Sequence, residues 1–221
     1  MIALGDDSTV TPALEAAAIP FARTALDHAM ERYADGDERA FTELFHALAP
    51  RVHAFLKRLS GSDDTASDLT QETFLRMHRA RGTFARGHAV LPWAYAIARN
   101  CFTSHVRSPK YRAARTAVDV AEHEVSGGTD ASAEEKLAAR QSAEIVGETL
   151  AAMSVINREA FVLLRFEGLS VSQAAEVIGA TESAVKVRAF RAYEALRAAL
   201  DAGERRRGEP AAEARAPLRG A

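Results

Sequence analysis

Apolar residues recur at spacings of three and four along two long stretches of this chain, and no segment of useful length alternates with the two-residue period of a strand. Leu26, Met30 and Tyr33 are followed, after Asp35-Gly36-Asp37, by Phe41, Leu44, Phe45, Leu48, Val52, Phe55, Leu56 and Leu59. That pattern reads as a short helix and then a longer one. Gly61 with Ser62 and Asp63 ends the segment, a third helix runs from about Asp64 to Ala80, and Gly82 to Leu91 reads as a loop before the next helix. Pro92 suits that helix's first turn, where its missing N–H would be unpaired anyway. A second helical block runs from about Leu137 to Leu200. The expected fold is therefore all-α.

The segments between and around the two blocks cannot build a core. Residues 1–23 are small, Ala-rich and Pro-punctuated, and read as a poorly ordered extension. Between Ala117 and Glu135 there are six acids and no Lys or Arg, set around Ser126-Gly127-Gly128, the composition of a flexible acidic linker. The last twenty residues, with Arg205-Arg206-Arg207 and two prolines, look frayed. The organisation read from this is an extension (1–23), a first helical domain (24–112), an acidic linker (113–138), a second helical domain (139–200) and a disordered tail (201–221). The two domains are expected to sit on a tether.

The chain is net −2, yet from Arg76 to Arg115 there are nine Lys or Arg and not one Asp or Glu. Phe84, Trp93, Tyr95, Phe102 and Tyr111 are interleaved with those cations. Phosphates want Lys and Arg while unstacked bases want aromatic faces, so the run points to nucleic acid. Enzyme chemistry finds no support. There is no Gly-rich phosphate loop and no HExxH, and His123-Glu124 sits in the linker. Cys101 is the single cysteine, so neither a disulfide nor a thiol zinc cluster can form within the chain, and the seven His are scattered. No catalytic residue, metal or cofactor is expected. The amino terminus lacks a basic n-region, and Glu15 and Pro20 interrupt its only apolar stretch, so the expectation is a cytoplasmic protein without membrane insertion.

In the second block Ser170 can cap a helix from Val171 to Ile178 while Gln173 reaches back to the cap's own N–H, with Leu169 packing on Ala174. Gly179 ends it, and Thr181 can cap a second helix from Glu182 to about Leu200. Two helices joined by a three-residue turn containing Gly form a helix-turn-helix. Val185, Ala189, Ala192 and Leu196 supply an inward stripe that leaves Lys186, Arg188, Arg191 and Arg197 mostly on the polar side, which suits a phosphate-lined major groove. Taken alone, the pair also fits a Gly-broken helix pair with a solvated basic face, as many helical proteins have.

The segment DLTQETFLRMHRA (68–80) followed by LPWAYAIARN (91–100) resembles the RNA polymerase sigma factors, specifically the small extracytoplasmic-function group of the sigma-70 family. LLRFEGLSVSQAAEVIGATESAVKVRAFRAYEALR (163–197) resembles that family's second domain, and together the matches cover about residues 24–107 and 141–200 in the family's order. The resemblance implies that Asp68, Gln71, Glu72, Leu75 and Arg79, recurring on one helix flank while Leu69, Phe74 and Met77 face the core, dock on the clamp helices of the largest subunit of core RNA polymerase. It implies that the loop with Phe84, Arg86 and His88 holds an extruded base of the minus-ten element. Trp93, Arg99, Asn100, Thr103 and Arg107 then follow the non-template strand, although Trp93 serves equally well as a core anchor. In the second domain Thr181, Glu182, Ser183, Lys186, Arg188 and Arg191 are assigned to duplex DNA of the minus-thirty-five element.

The same resemblance implies further partners: the polymerase flap region, and an anti-sigma factor that clamps both domains. It implies that the linker threads polymerase channels. The sequence departs from the family pattern at Met77 and His78, where a small residue and Trp are common, at Ser154-Val155 in place of a Leu-Pro helix start, and at Val187 and Phe190 on the recognition helix. His78 reads as a packing substitution. Two other functions are alternatives: a sigma mimic that titrates an anti-sigma protein, which has no need of Lys186, Arg188 and Arg191, and a helix-turn-helix regulator that works without core polymerase.

Overall fold

Thr24 opens the first helix by accepting from the Asp27 amide while the Asp27 carboxylate accepts from the Thr24 amide at 2.8 Å, so two otherwise orphaned N–H groups are satisfied reciprocally. This pattern of written starts and stops recurs along the chain. The computed structural model describes residues 24–108 and 133–208. The helices are α1 (Ala25–Ala34), α2 (Glu38–Ser60), α3 (Asp63–Ala80), α4 (Val90–Arg107), α5 (Ala133–Ala152), α6 (Val155–Arg165), α7 (Val171–Ile178) and α8 (Glu182–Gly208), with a 3₁₀ turn at Arg81–Thr83. Among the described residues there is no strand, and the fold is all-α with two helical domains.

Asp37 caps α2, Ser62 caps α3 and Ser170 caps α7, the last with the reciprocal Gln173 contact at 2.8 Å. Gly61 closes α2 at φ +76° and Gly179 closes α7 at φ +69°, a left-handed conformation that favours glycine. The Gly179 and Ala180 amides both return to the Ala175 carbonyl, which makes the turn of the helix-turn-helix.

The expected extension (1–23) lies outside the described residues, as does the linker up to residue 132. Its last six residues belong instead to α5, where the Ala-rich run AEEKLAARQSA favours helix over spacer. The tail reading is also corrected: α8 continues eight residues past Leu200 to Gly208, and 209–221 lie outside the described residues. Gly203 shows why, since a Cβ there would stand 2.4 Å from Ile145 Cδ1. The absent side chain lets the end of α8 lie close against α5.

The first domain buries Leu44, Leu48, Val52, Phe55, Leu56 and Leu59 of α2 against Leu69, Phe74 and Met77 of α3 and Tyr95, Ala98, Cys101 and Phe102 of α4. The second packs Leu150, Phe161, Ala192 and Leu196 together. Val185 and Ala189 complete the expected inward stripe of α8. The two domains also share a buried cluster. Ala160, Val162 and Leu163 of α6 and Ala174, Val177 and Ile178 of α7 join the same buried cluster as the α2 and α4 residues.

Three acids spaced by four, Asp27 and Glu31 in α1 and Asp35 at its carboxy-terminal cap, position the loop before α4. Asp27 accepts from the Val90 amide at 2.8 Å, Glu31 from the Gly87 amide at 2.8 Å, and Asp35 from Arg86 Nη2 at 2.5 and 2.6 Å. Spacing by four keeps them on one helix face. No acid occurs within the loop, so its amides and its arginine find their acceptors on α1. Among the described residues no helix is long and apolar enough to cross a membrane.

Two stability effects follow. Gly179→Ala meets no neighbouring atom, so its cost is backbone strain alone, roughly 1–2 kcal/mol in urea unfolding. Asp27→Ala strips the acceptor from a buried N–H and a helix cap, and is expected to lower stability by about 2 kcal/mol and to speed hydrogen exchange at Val90.

Candidate polymerase and nucleic-acid interface

The outer flank of α3 is open. Asp68, Gln71, Leu75 and Arg79 are exposed and Glu72 is partly so, while Thr73, Phe74 and Met77 on the same helix are buried. Leu75 is 52 % exposed, an apolar side chain left in water beside charged ones. Glu72 accepts from Arg76 Nε at 2.7 Å, which fixes its carboxylate along the helix. The amphipathic spacing has thus brought all five proposed polymerase residues onto one surface. His78, next to this flank, has its Nδ1 2.5 Å from the Tyr33 hydroxyl and packs in an aromatic group with Tyr33.

The loop residues divide. Arg86 and His88 are exposed, with Arg86 held by Asp35. Phe84 is buried, its ring edge-on to Trp93 at 5.3 Å, and it lines the same cleft as Trp93 and His88. Trp93 is partly buried and borders a cleft of about 550 Å³ together with His88. It is both packing partner and cleft wall. Further along α4, Asn100 and Arg107 are exposed, Thr103 is partly so, and Arg99 is turned inward.

On the second domain Thr181, Glu182, Ser183, Lys186 and Arg191 stand exposed at the amino-terminal half of α8, and Thr181 Oγ1 accepts from the Ala184 amide at 3.2 Å. Arg188 is partly buried. Val187, Phe190 and Tyr193 are about half exposed on the same helix, so the recognition surface mixes apolar with cationic groups.

The residues that sequence reasoning missed lie between the domains. Glu159 of α6 is buried and accepts from Arg99 Nε. Glu167, in the turn between α6 and α7, is buried and accepts from the Tyr95 hydroxyl, with Arg58 Nη1 at 3.6 Å and Arg51 Nε at 4.0 Å. Arg158 donates to the Leu59 carbonyl at 2.7 Å across the same boundary. Burial pushes both carboxyls up, since a desolvated carboxylate is disfavoured, and their cationic neighbours pull them back: Arg99 and then Arg188 for Glu159, and Arg58 and Arg51, beside the Tyr95 hydrogen bond, for Glu167. Tyr95 is pushed well above the usual phenol range by burial and then by the Glu167 charge, so it stays a donor. Nothing in the helical period marks these partners. The only signal was that two acids, Glu159 and Glu167, fall in otherwise apolar helix and turn positions.

Among the described residues no three His, Cys, Asp or Glu side chains gather in a group able to hold a metal ion.

Comparison with known proteins bears on this geometry. Residues 44–112 match the family model for sigma-70 region 2, and residues 143–196 that for sigma-70 region 4. The RNA polymerase sigma factor CarQ of Myxococcus xanthus is 34% identical over 171 residues, 77% of this chain and 95% of that one. The RNA polymerase sigma-H factor of Pseudomonas aeruginosa is 31% identical over 176 residues, 77% of this chain and 91% of that one. Among solved structures, the sigma factor RpoE of Bartonella quintana, in complex with the anti-sigma factor NepR, superposes with a TM-score of 0.60 at 25% identity, covering 73% of this chain and 96% of that one. CnrH, solved with the cytosolic domain of CnrY, shares the fold at a TM-score of 0.59. With residues 44–112 matching region 2 and residues 143–196 matching region 4, this chain belongs to the extracytoplasmic-function group of sigma-70 RNA polymerase sigma factors.

Proposed function

We propose that this sigma factor binds core RNA polymerase through the open flank of α3, places it at promoters through two DNA contacts, opens the minus-ten region, and then dissociates. It carries out no covalent chemistry. The observation that carries this reading is the exposed row Asp68, Gln71, Glu72, Leu75 and Arg79, a mixed charged and apolar surface on the family's polymerase-binding helix. A protein partner is the natural occupant of such a surface, because Leu75 gains from burial while the charges set register.

Opening a promoter requires a base to leave the stack at a cost of a few kcal/mol, offset when a pocket stacks and hydrogen-bonds it. Trp93 and His88 line the cleft that would take the base, with Phe84 buttressing Trp93 and the α1 acids holding the loop in place. Arg99, Asn100, Thr103 and Arg107 succeed one another along α4, toward the phosphates and sugars of the displaced strand. At the amino-terminal half of α8, Thr181, Glu182, Ser183, Lys186, Arg188 and Arg191 supply the mixed base-edge and phosphate contacts to the minus-thirty-five duplex.

An anti-sigma partner is part of this reading. It is supported by the fold shared with RpoE, which was solved bound to NepR. The protein is placed in the cytoplasm, where core polymerase and promoter DNA are found.

Gln71→Arg, Glu72→Lys and Arg79→Glu combined should abolish holoenzyme formation, lowering affinity for core polymerase about a hundredfold in a pull-down titration and leaving the melting temperature unchanged. Unaltered assembly would overturn the α3 assignment. Lys186→Ala with Arg191→Ala should weaken binding of the holoenzyme to minus-thirty-five duplex on all sequences and reduce the log–log salt slope by about 2.

A further inference from the structure

We propose that Val187 and Phe190 of α8 read thymine methyl groups, so that the minus-thirty-five element of this factor carries thymines on two neighbouring base pairs. The inference rests on the reading under Proposed function and deepens it, because it names the base chemistry that the recognition helix selects.

The face of α8 that is turned away from the protein is fixed by the face that is buried. Val185, Ala189, Ala192 and Leu196 pack inward. At about 100° per residue, the direction opposite that stripe falls on Ser183, Val187, Phe190 and Glu194, and all four are exposed. Ser183, Val187 and Phe190 lie nearest the amino-terminal end of α8, the part of a recognition helix whose side chains reach base edges, and Glu194 follows a turn later. Lys186 and Arg191 stand exposed on either side of the stripe. The surface is thus an apolar strip with a cation on each flank. A major groove offers the complementary pattern, with base edges along its floor and a row of phosphates at each rim.

The side chains on the strip limit what they can recognise. Val187 is 49 % exposed and Phe190 is 54 % exposed, and both are positions at which this chain departs from the pattern of its family. Neither side chain can donate or accept a hydrogen bond. Pressed against the oxygens, ring nitrogens and amino groups of the groove floor, they would strip water from polar atoms and return nothing. The methyl at C5 of thymine is the apolar group that the major groove offers. Side chains three positions apart on a helix have Cβ atoms about 5–6 Å apart, and neighbouring base pairs rise by about 3.4 Å, so the two residues reach adjacent pairs. A protein partner could also cover an apolar strip, but it would have to bring acids to both flanks to meet Lys186 and Arg191. Duplex DNA supplies the anions and the methyl groups together.

The test starts from a duplex library randomised over the minus-thirty-five region and selected with the wild-type chain assembled on core RNA polymerase. The selected element should carry thymines on two neighbouring pairs. Replacing each of these thymines by uracil removes the methyl and leaves every hydrogen-bonding group in place. Each replacement should weaken binding of the wild-type holoenzyme about fourfold in an anisotropy titration, the worth of one buried methyl group. Val187→Ser and Phe190→Ser should each erase the sensitivity to uracil at one of the two positions, with the melting temperature unchanged because both side chains are exposed. A selected element whose thymines can all be replaced by uracil without loss would overturn the inference and leave the proposed function standing, as would equal uracil sensitivity in the wild type and both variants. Variants that keep wild-type duplex binding and uracil sensitivity but lose affinity for core polymerase would overturn it in favour of a protein-binding strip. If wild-type holoenzyme selects no element at all, the duplex contact of the proposed function fails, and the methyl readout fails with it.

Discussion

A stretch of chain that carries cations and no acids must find its counter-charges elsewhere, and much of the tertiary structure here answers that need. Between Arg76 and Arg115 the sequence offers no Asp or Glu, yet Arg86 and Arg99 are both held by carboxylates. Arg86 finds Asp35 on α1, and Arg99 finds Glu159 on α6. The first pairing, with the neighbouring Asp27 and Glu31 contacts, sets the loop that precedes α4. The second draws in the other domain. For Arg99, local charge segregation is thereby converted into long-range order, because a partly desolvated guanidinium without an anion is costly, whereas the Arg86–Asp35 pair is exposed to solvent.

The loop illustrates how scaffold and function share residues. Phe84 and Trp93 form an edge-to-face pair, so the ring nearest the proposed base pocket is backed by another ring rather than by mobile solvent. Asp27 holds both the start of α1 and the first amide of α4. A pocket framed in this way is formed before any base arrives, which reduces the ordering cost that binding would otherwise carry.

What could be read in the sequence follows from the range of the interaction involved. Helix starts at Thr181 and Ser170, the stops at Gly61 and Gly179, and the buried stripe Val185, Ala189, Ala192 and Leu196 depend on neighbours within four residues, and all stand where the spacing put them. The open flank of α3 follows from the same periodicity. The docking of the domains does not, because Tyr95 with Glu167 and Arg99 with Glu159 join residues 72 and 60 positions apart. The burial of Phe84 depends on Trp93, nine residues on, which the helical period of α4 alone does not aim. The end of α8 was misjudged for a related reason: Gly203 reads as a breaker in isolation, yet it is the residue that allows Ile145 to approach.

The chemistry of the boundary also bears on how it can be opened. An apolar seam of the same extent would have to expose its surface before DNA could enter, and DNA offers nothing to cover it. This boundary has such an apolar part, Ala160, Val162 and Leu163 of α6 and Ala174, Val177 and Ile178 of α7, but beside it runs a part made of arginine and carboxylate, and that part behaves differently. Arg99 has already lost much of its water in the docked state, so exchanging Glu159 for a phosphate replaces one charge-assisted pair by another and adds little new desolvation. Glu159, released to solvent, regains the hydration whose loss pushes its carboxyl up. Both halves of the exchange then favour the DNA-bound form, while in the absence of phosphate neither charge has a better partner than the other. A boundary built from buried opposite charges is weak as a source of stability, and that weakness is what suits it to a contact that must give way to a polyanion.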